Sequence, residues 1–196
     1  KGSSFAMNHE GTLLAGNDPW FRPIDLQTGP DGALYIVDWY DKRANHVDPV
    51  DNWDKTNGRI YRLAAKEYQQ TEIKDLKALS SSGLVSLLRH ENSWQRGEAR
   101  RLLSERHDKD AMKTLQQSMR NGELIGLDQL GALYGSGELT AELALPLLQH
   151  PQAEVRAWIV RLVTDHATVE GMKTYATLLP QLVKLAQREF SPTVQT

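Results

Sequence analysis

The chain has 196 residues, 40% hydrophobic and 24% charged, with 23 basic and 25 acidic side chains and a formal net charge of −2. That composition belongs to a folded globular chain rather than a disordered one, and its charge balance offers no general attraction to nucleic acid or an anionic membrane. The absence of cysteine excludes disulfide scaffolds, thiol nucleophiles, cysteine-rich zinc sites and Cys-x-x-Cys-His haem attachment, and no apolar run is long enough to span a bilayer.

The composition changes near residue 63. Residues 1 to 62 hold seven basic and nine acidic residues, and all the acids except Glu10 are aspartate; the rest of the chain holds sixteen of each sign, with eleven glutamates. Aspartate favours turns and glutamate favours helices, so a turn-rich β region over 1–66 is expected to precede a helical region over 67–196. In the first region, Arg22 to Gln27 alternates apolar and polar side chains, Gly29-Pro30-Asp31-Gly32 interrupts, and Ala33 to Tyr40 is a β-branched and aromatic run. This predicts strand, tight turn, strand. A third strand is expected at Gly58 to Leu63, and Thr12-Leu13-Leu14 is a candidate fourth. So small an antiparallel meander needs cover from another element.

Beyond residue 70 the period becomes helical: Leu84, Leu87 and Leu88 share a face, as do Ala99, Leu102 and Leu103, and Val155, Ile159, Leu162 and Val163. A repeat appears at an offset of sixty residues. Leu87-Leu88-Arg89-His90 recurs as Leu147-Leu148-Gln149-His150, Arg96 as Arg156, and Arg101-Leu102-Leu103 as Arg161-Leu162-Val163. Half that offset places a further unit between them, with helices over Ala111 to Met119 and Leu124 to Tyr134, punctuated by Gly122, Gly135 and Gly137. Two short helices per unit, stacked unit on unit, predict a mainly α protein built as an α-solenoid of about three helical pairs. Val169 to Phe190 is expected to add a capping pair, with Pro180 either kinking one helix or starting the next.

Three segments carry a family resemblance: Asp18-Pro19-Trp20-Phe21-Arg22-Pro23, then Gly29 to Asp41, then Gly58-Arg59-Ile60-Tyr61-Arg62-Leu63. Together they resemble the last blade of the sorbosone-dehydrogenase-like β-propeller found in bacterial putative membrane-bound dehydrogenases. In that family the propeller is followed by HEAT-like repeats and often by a c-type cytochrome domain. Val155-Arg156-Ala157 resembles the second helix of a HEAT repeat, where the arginine commonly braces neighbouring units. The resemblance implies export to the periplasm or cell envelope, and a parent protein that is a sugar or alcohol dehydrogenase using quinone, calcium or haem. It also implies that this chain is one part of that architecture: one blade leaves no room for the others, and the cytochrome's cysteines are missing.

The richest polar cluster is the loop holding Asp38, Asp41, His46, Asp48, Asp51 and Asp54, with Lys42, Arg43, Lys55 and Arg59 around it. Carboxylates and an imidazole could hold a divalent cation such as calcium, but the spacing matches no metal loop, and a solvated interblade loop whose Asp and Asn residues cap turns is the better account. His90 and His150 could be read as axial haem ligands, yet their equivalence under the repeat places them along a solenoid, as residues near helix carbonyl ends. Arg96, Arg100, Arg101 and Arg106, interleaved with Glu98 and Glu105, predict a salt-bridged surface. Trp20, Trp39 and Trp53 could stack on sugar rings or dock a neighbouring element. No Ser-His-Asp elbow, phosphate loop or dinucleotide glycine motif is present. The expectation is therefore a noncatalytic scaffold or interaction module without a cofactor of its own. The alternatives are a wall of a quinone- or haem-linked dehydrogenase active site and a carbohydrate-binding surface. Expected partners are a protein or further propeller blades, with no nucleic acid and no direct membrane insertion.

Overall fold

The computed structural model describes residues 8–43, 49–50, 55–68, 75–121, 126–165 and 175–195. The protein is mainly α with a small three-stranded antiparallel sheet. Its contacts divide it into two compact units: among the described residues, 8–68 with 92–94, and 75–91 with 95–195.

In the first unit, β1 (Pro23–Thr28), β2 (Leu34–Asp38) and β3 (Arg59–Leu63) form a meander in the order β1-β2-β3. The β1-to-β2 turn follows from its residues. Gly29 N–H donates to Ala33 O at 2.8 Å and Gly32 N–H to Gly29 O at 2.9 Å, leaving Pro30, Asp31 and Gly32 as a three-residue loop. Pro30 supplies a fixed negative φ, while Gly32 adopts φ +83°, the left-handed residue such a loop requires. A Cβ at Gly32 would also overlap the Tyr68 hydroxyl, which donates to the Asp31 carbonyl. Gly32→Ala is expected to cost about 2 kcal/mol through left-handed strain, read as a lower urea midpoint; an unchanged midpoint would show that the turn tolerates a side chain.

The second strand is shorter than its sequence suggests. Tyr40 turns to φ 53°, which ends the extended run, although Trp39 N–H still donates to Arg22 O at 3.0 Å. Irregular pairing between Pro23 and Asp25 marks a bulge around Ile24. The candidate fourth strand at Thr12-Leu13-Leu14 does not form: the segment is irregular and Leu13 is exposed.

In the second unit the helices come in pairs: α1 (Ser81–Leu87) with α2 (Ser93–Arg106), α3 (Lys109–Arg120) with α4 (Leu127–Gly135), and α5 (Ala141–Leu147) with α6 (Ala153–Thr164). A fourth, shorter pair is α7 (Leu179–Arg188) and α8 (Pro192–Gln195). Each of the first three pairs opens on a side-chain cap that accepts an otherwise orphaned amide: Ser80 from Gly83, Asp108 from Ala111, Thr140 from Leu143. First helices stack on first helices, with α3 touching both α1 and α5, and second helices stack likewise, with α4 on α6 and α6 on α8. This is solenoid packing. Its core includes Leu84, Ala99, Leu103 and Ile159 of the faces read from periodicity, all fully buried, together with Leu130 and Leu133 of the middle pair. Leu87 is only half-buried. Pro180 lies in the first turn of α7, where its missing N–H breaks no helical bond; it starts the helix rather than kinking it. Residues 122–125 and 166–174, which include Gly122, Leu124 and Val169, lie outside the described residues. No described helix is long and apolar enough to cross a membrane.

Candidate functional site

Among the described residues three aspartates of the β unit are buried, and the chain makes most of their oxygens structural. Asp31 accepts from Ala33 N at 3.1 Å, from the Tyr35 hydroxyl at 3.3 Å and from Arg62 Nε at 2.7 Å. Burial acts to raise its pKa, but these donors, led by the Arg62 guanidinium, hold the carboxyl below its ordinary value. Asp41 accepts from Arg43 N at 3.0 Å and from Trp39 Nε1 at 3.4 Å. Asp38 Oδ1 accepts from Arg22 N at 2.7 Å and Tyr40 N at 2.9 Å. Its Oδ2, like Arg22 Nε, is buried without a hydrogen-bond partner, with Arg59 Nη1 at 4.0 Å. Of the loop candidates, His46, Asp48, Asp51 and Asp54 lie outside the described residues. Among the described residues no three His, Cys, Asp or Glu side chains converge as a metal site.

The tryptophans separate. Trp20 is half-buried and packs at 5.7 Å on the Tyr40 ring, which also meets the Arg59 guanidinium, 3.5 Å from the ring centroid. Trp39 is 49% exposed although its backbone and indole N–H are both tied down. It borders a cleft of about 630 Å³ shared with Ile24, Val37, Lys55, Thr56 and Asn57. Trp53 lies outside the described residues. The sheet leaves large apolar side chains bare: Ile60, paired with Val37, is 71% exposed, Ile24 61%, and Leu26, paired with Ile36, 54%. No residue of β1 is buried.

In the helical unit the repeat positions do equivalent work sixty residues apart. Arg96 Nη1 donates to His90 O at 2.7 Å and Glu91 O at 2.9 Å; Arg156 Nη1 donates to His150 O at 2.7 Å and Pro151 O at 3.1 Å. Each arginine satisfies carbonyls in the turn between the two helices of its own pair. It then reaches an acid in the next pair: Arg96 Nε to Asp128 at 2.9 Å, Arg156 Nε and Nη2 to Glu189 at 2.7 and 2.8 Å. The histidines take part through their backbone carbonyls. The middle pair has no such arginine; there Gly126 N–H donates to the Gln129 side chain at 2.8 Å. The remaining basic cluster is likewise engaged. Arg100 joins Asp128 at 3.1 Å, Arg101 pairs with Glu98 and Glu105, and Arg106 donates to Leu79 O and Lys77 O.

Sequence reading did not single out Asp31, Arg62, Asp128 or Glu189. An acid thirty-two or thirty-three residues after each repeat arginine was the one signal available for the last two.

Taken together, the geometry defines a helical-repeat protein carrying a small, incompletely covered β-meander. Residues 1–67 match the model of a protein family described as a domain of unknown function, DUF7133. No curated protein and no solved structure matches the chain.

Proposed function

We propose that this chain is a noncatalytic interaction and scaffold module, whose β-meander packs against further β-structure. The uncovered sheet carries this reading. Three strands with Ile24, Leu26, Trp39 and Ile60 bare to solvent cannot make an independent core, and exposed apolar surface of that kind marks an interaction site. The resemblance to a propeller's last blade names the kind of partner: neighbouring blades of a putative membrane-bound dehydrogenase. On this reading any quinone, calcium or haem chemistry belongs to the other parts of that assembly, which would be exported to the periplasm or cell envelope. The buried aspartates fit the same view, because their oxygens mostly cap turns and pair with Arg62.

Two measurements test it. The chain alone, supplied with sugars or alcohols, a dye acceptor, quinone and calcium, is expected to show no turnover; turnover would overturn the reading. Ile24→Lys combined with Ile60→Lys is expected to lower binding of an apolar fluorescent dye by about half, since these are two of the most exposed apolar side chains of the sheet. Unchanged dye binding would show that the sheet is not the sticky surface.

A further inference from the structure

A second surface lies on the helical unit, in the groove between the turn after α5 and helix α7. The groove has a volume of about 410 Å³ and an apolar floor that includes Leu148 and Leu185. Its polar lining is rich in donors: Gln149, His150, Gln181, Lys184 and Arg188, with no carboxylate among the lining residues. Arg156 also borders it, but that guanidinium is fully engaged by Glu189 and by the carbonyls of His150 and Pro151. Glu189 in turn is held by Arg156 and by Ser191 N–H at 2.8 Å, so it does not neutralise the groove.

Lys184 and Arg188 stand one helical turn apart, both exposed, and neither pairs with an acid among the described residues. Helix α7 contains no acidic residue at all. His150 adds a directed donor. Its Nδ1 accepts Gln152 N–H at 3.2 Å, which assigns the proton of the neutral ring to Nε2. Two cations, an imidazole N–H and two amides over an aliphatic floor thus sit together, in a chain whose overall charge is negative.

We propose that this groove binds an acidic peptide segment of a partner protein. Charge complementarity supplies the attraction, glutamine amides can pair with an extended backbone, and the leucine floor takes an aliphatic side chain. A free phosphate would use the cations but not the floor. The proposal concerns a different surface from the sheet and stands or falls separately from it.

The probe is a fluorescein-labelled peptide of alternating glutamate and leucine, followed by anisotropy at low salt on the whole chain. Lys184→Glu with Arg188→Glu is expected to weaken binding at least about tenfold, while the charge-matched Lys109→Glu with Lys113→Glu leaves it within about twofold. Both pairs are exposed surface positions, and circular dichroism checks that each variant folds. Loss of binding equal in the two variants would reduce the effect to net charge and overturn the proposal, as would no peptide binding at all. Displacement of the peptide by an equal concentration of inorganic phosphate, or capture of anionic vesicles in place of the peptide, would also overturn it.

Discussion

Leu133→Ala is expected to lower the stability of the helical unit by about 4 kcal/mol. Leu133 has no solvent exposure and sits on α4, the helix that packs against both α3 and α6. Removing its isobutyl group deletes apolar contacts and leaves a cavity that three packed helices cannot collapse without losing their other contacts. In a stack held by nearest-neighbour interfaces, damage to the middle unit weakens the interfaces on either side of it. Urea unfolding followed by far-UV circular dichroism should show the midpoint falling. The control is Leu13→Ala: that side chain is largely bare, and its removal should change stability by less than about 0.5 kcal/mol. Equal effects from the two would mean that the stacked core is not where stability resides.

The second large effect is expected at Arg156. The side chains of Arg156 and Glu189 are only 16% and 7% exposed, and they meet through two parallel hydrogen bonds. Arg156→Ala leaves a nearly buried carboxylate without its partner and also releases the carbonyls of His150 and Pro151. The cost is about 3 kcal/mol, falling on the terminal pair α7 and α8, which should then exchange amide hydrogens roughly a hundredfold faster than in the parent. Arg156→Lys should recover only part of the loss, since an ammonium cannot present the planar fork.

The same contact predicts a pH dependence. The Arg156 guanidinium, helped by Ser191 N–H, lowers the Glu189 carboxyl to about 2, below its ordinary value of 4.5. A carboxyl whose pKa is lower in the folded state stabilises fully above its ordinary value and loses that contribution as pH falls towards its folded one. Protection of residues 179–195 should therefore decline between about pH 4.5 and pH 2, and this decline should vanish in Arg156→Ala. Identical pH profiles for parent and variant would remove Glu189 as the cause.

The helical pairs were legible because a stacked helix must bury one stripe, and the leucines at 84, 102, 103, 147 and 162 repeat at helical spacing. The hairpin was legible because Pro30 and Gly32 leave the backbone few alternatives. Strand ends were less so: nothing in the types of Trp39 and Tyr40 announces that the second of them turns to a left-handed φ. The polar loop was hardest to read. Asp38 and Asp41 looked like ligands in a list of residue types, and only their surroundings show their oxygens accepting the amides of Arg22, Tyr40 and Arg43.

The sequence alone thus determined the class of the protein, since residue periodicity, turn chemistry and a sixty-residue repeat are local properties written along the chain. It also placed Arg96 and Arg156 at equivalent positions. Only the tertiary structure decided what those arginines hold, because Asp128 and Glu189 become their partners through the stacking of one pair on the next. It likewise decided which side chains are left over. The bare apolar residues of the sheet, and Lys184 and Arg188, which pair with no acid among the described residues, resemble their neighbours in sequence and differ from them in the exposure that packing leaves them.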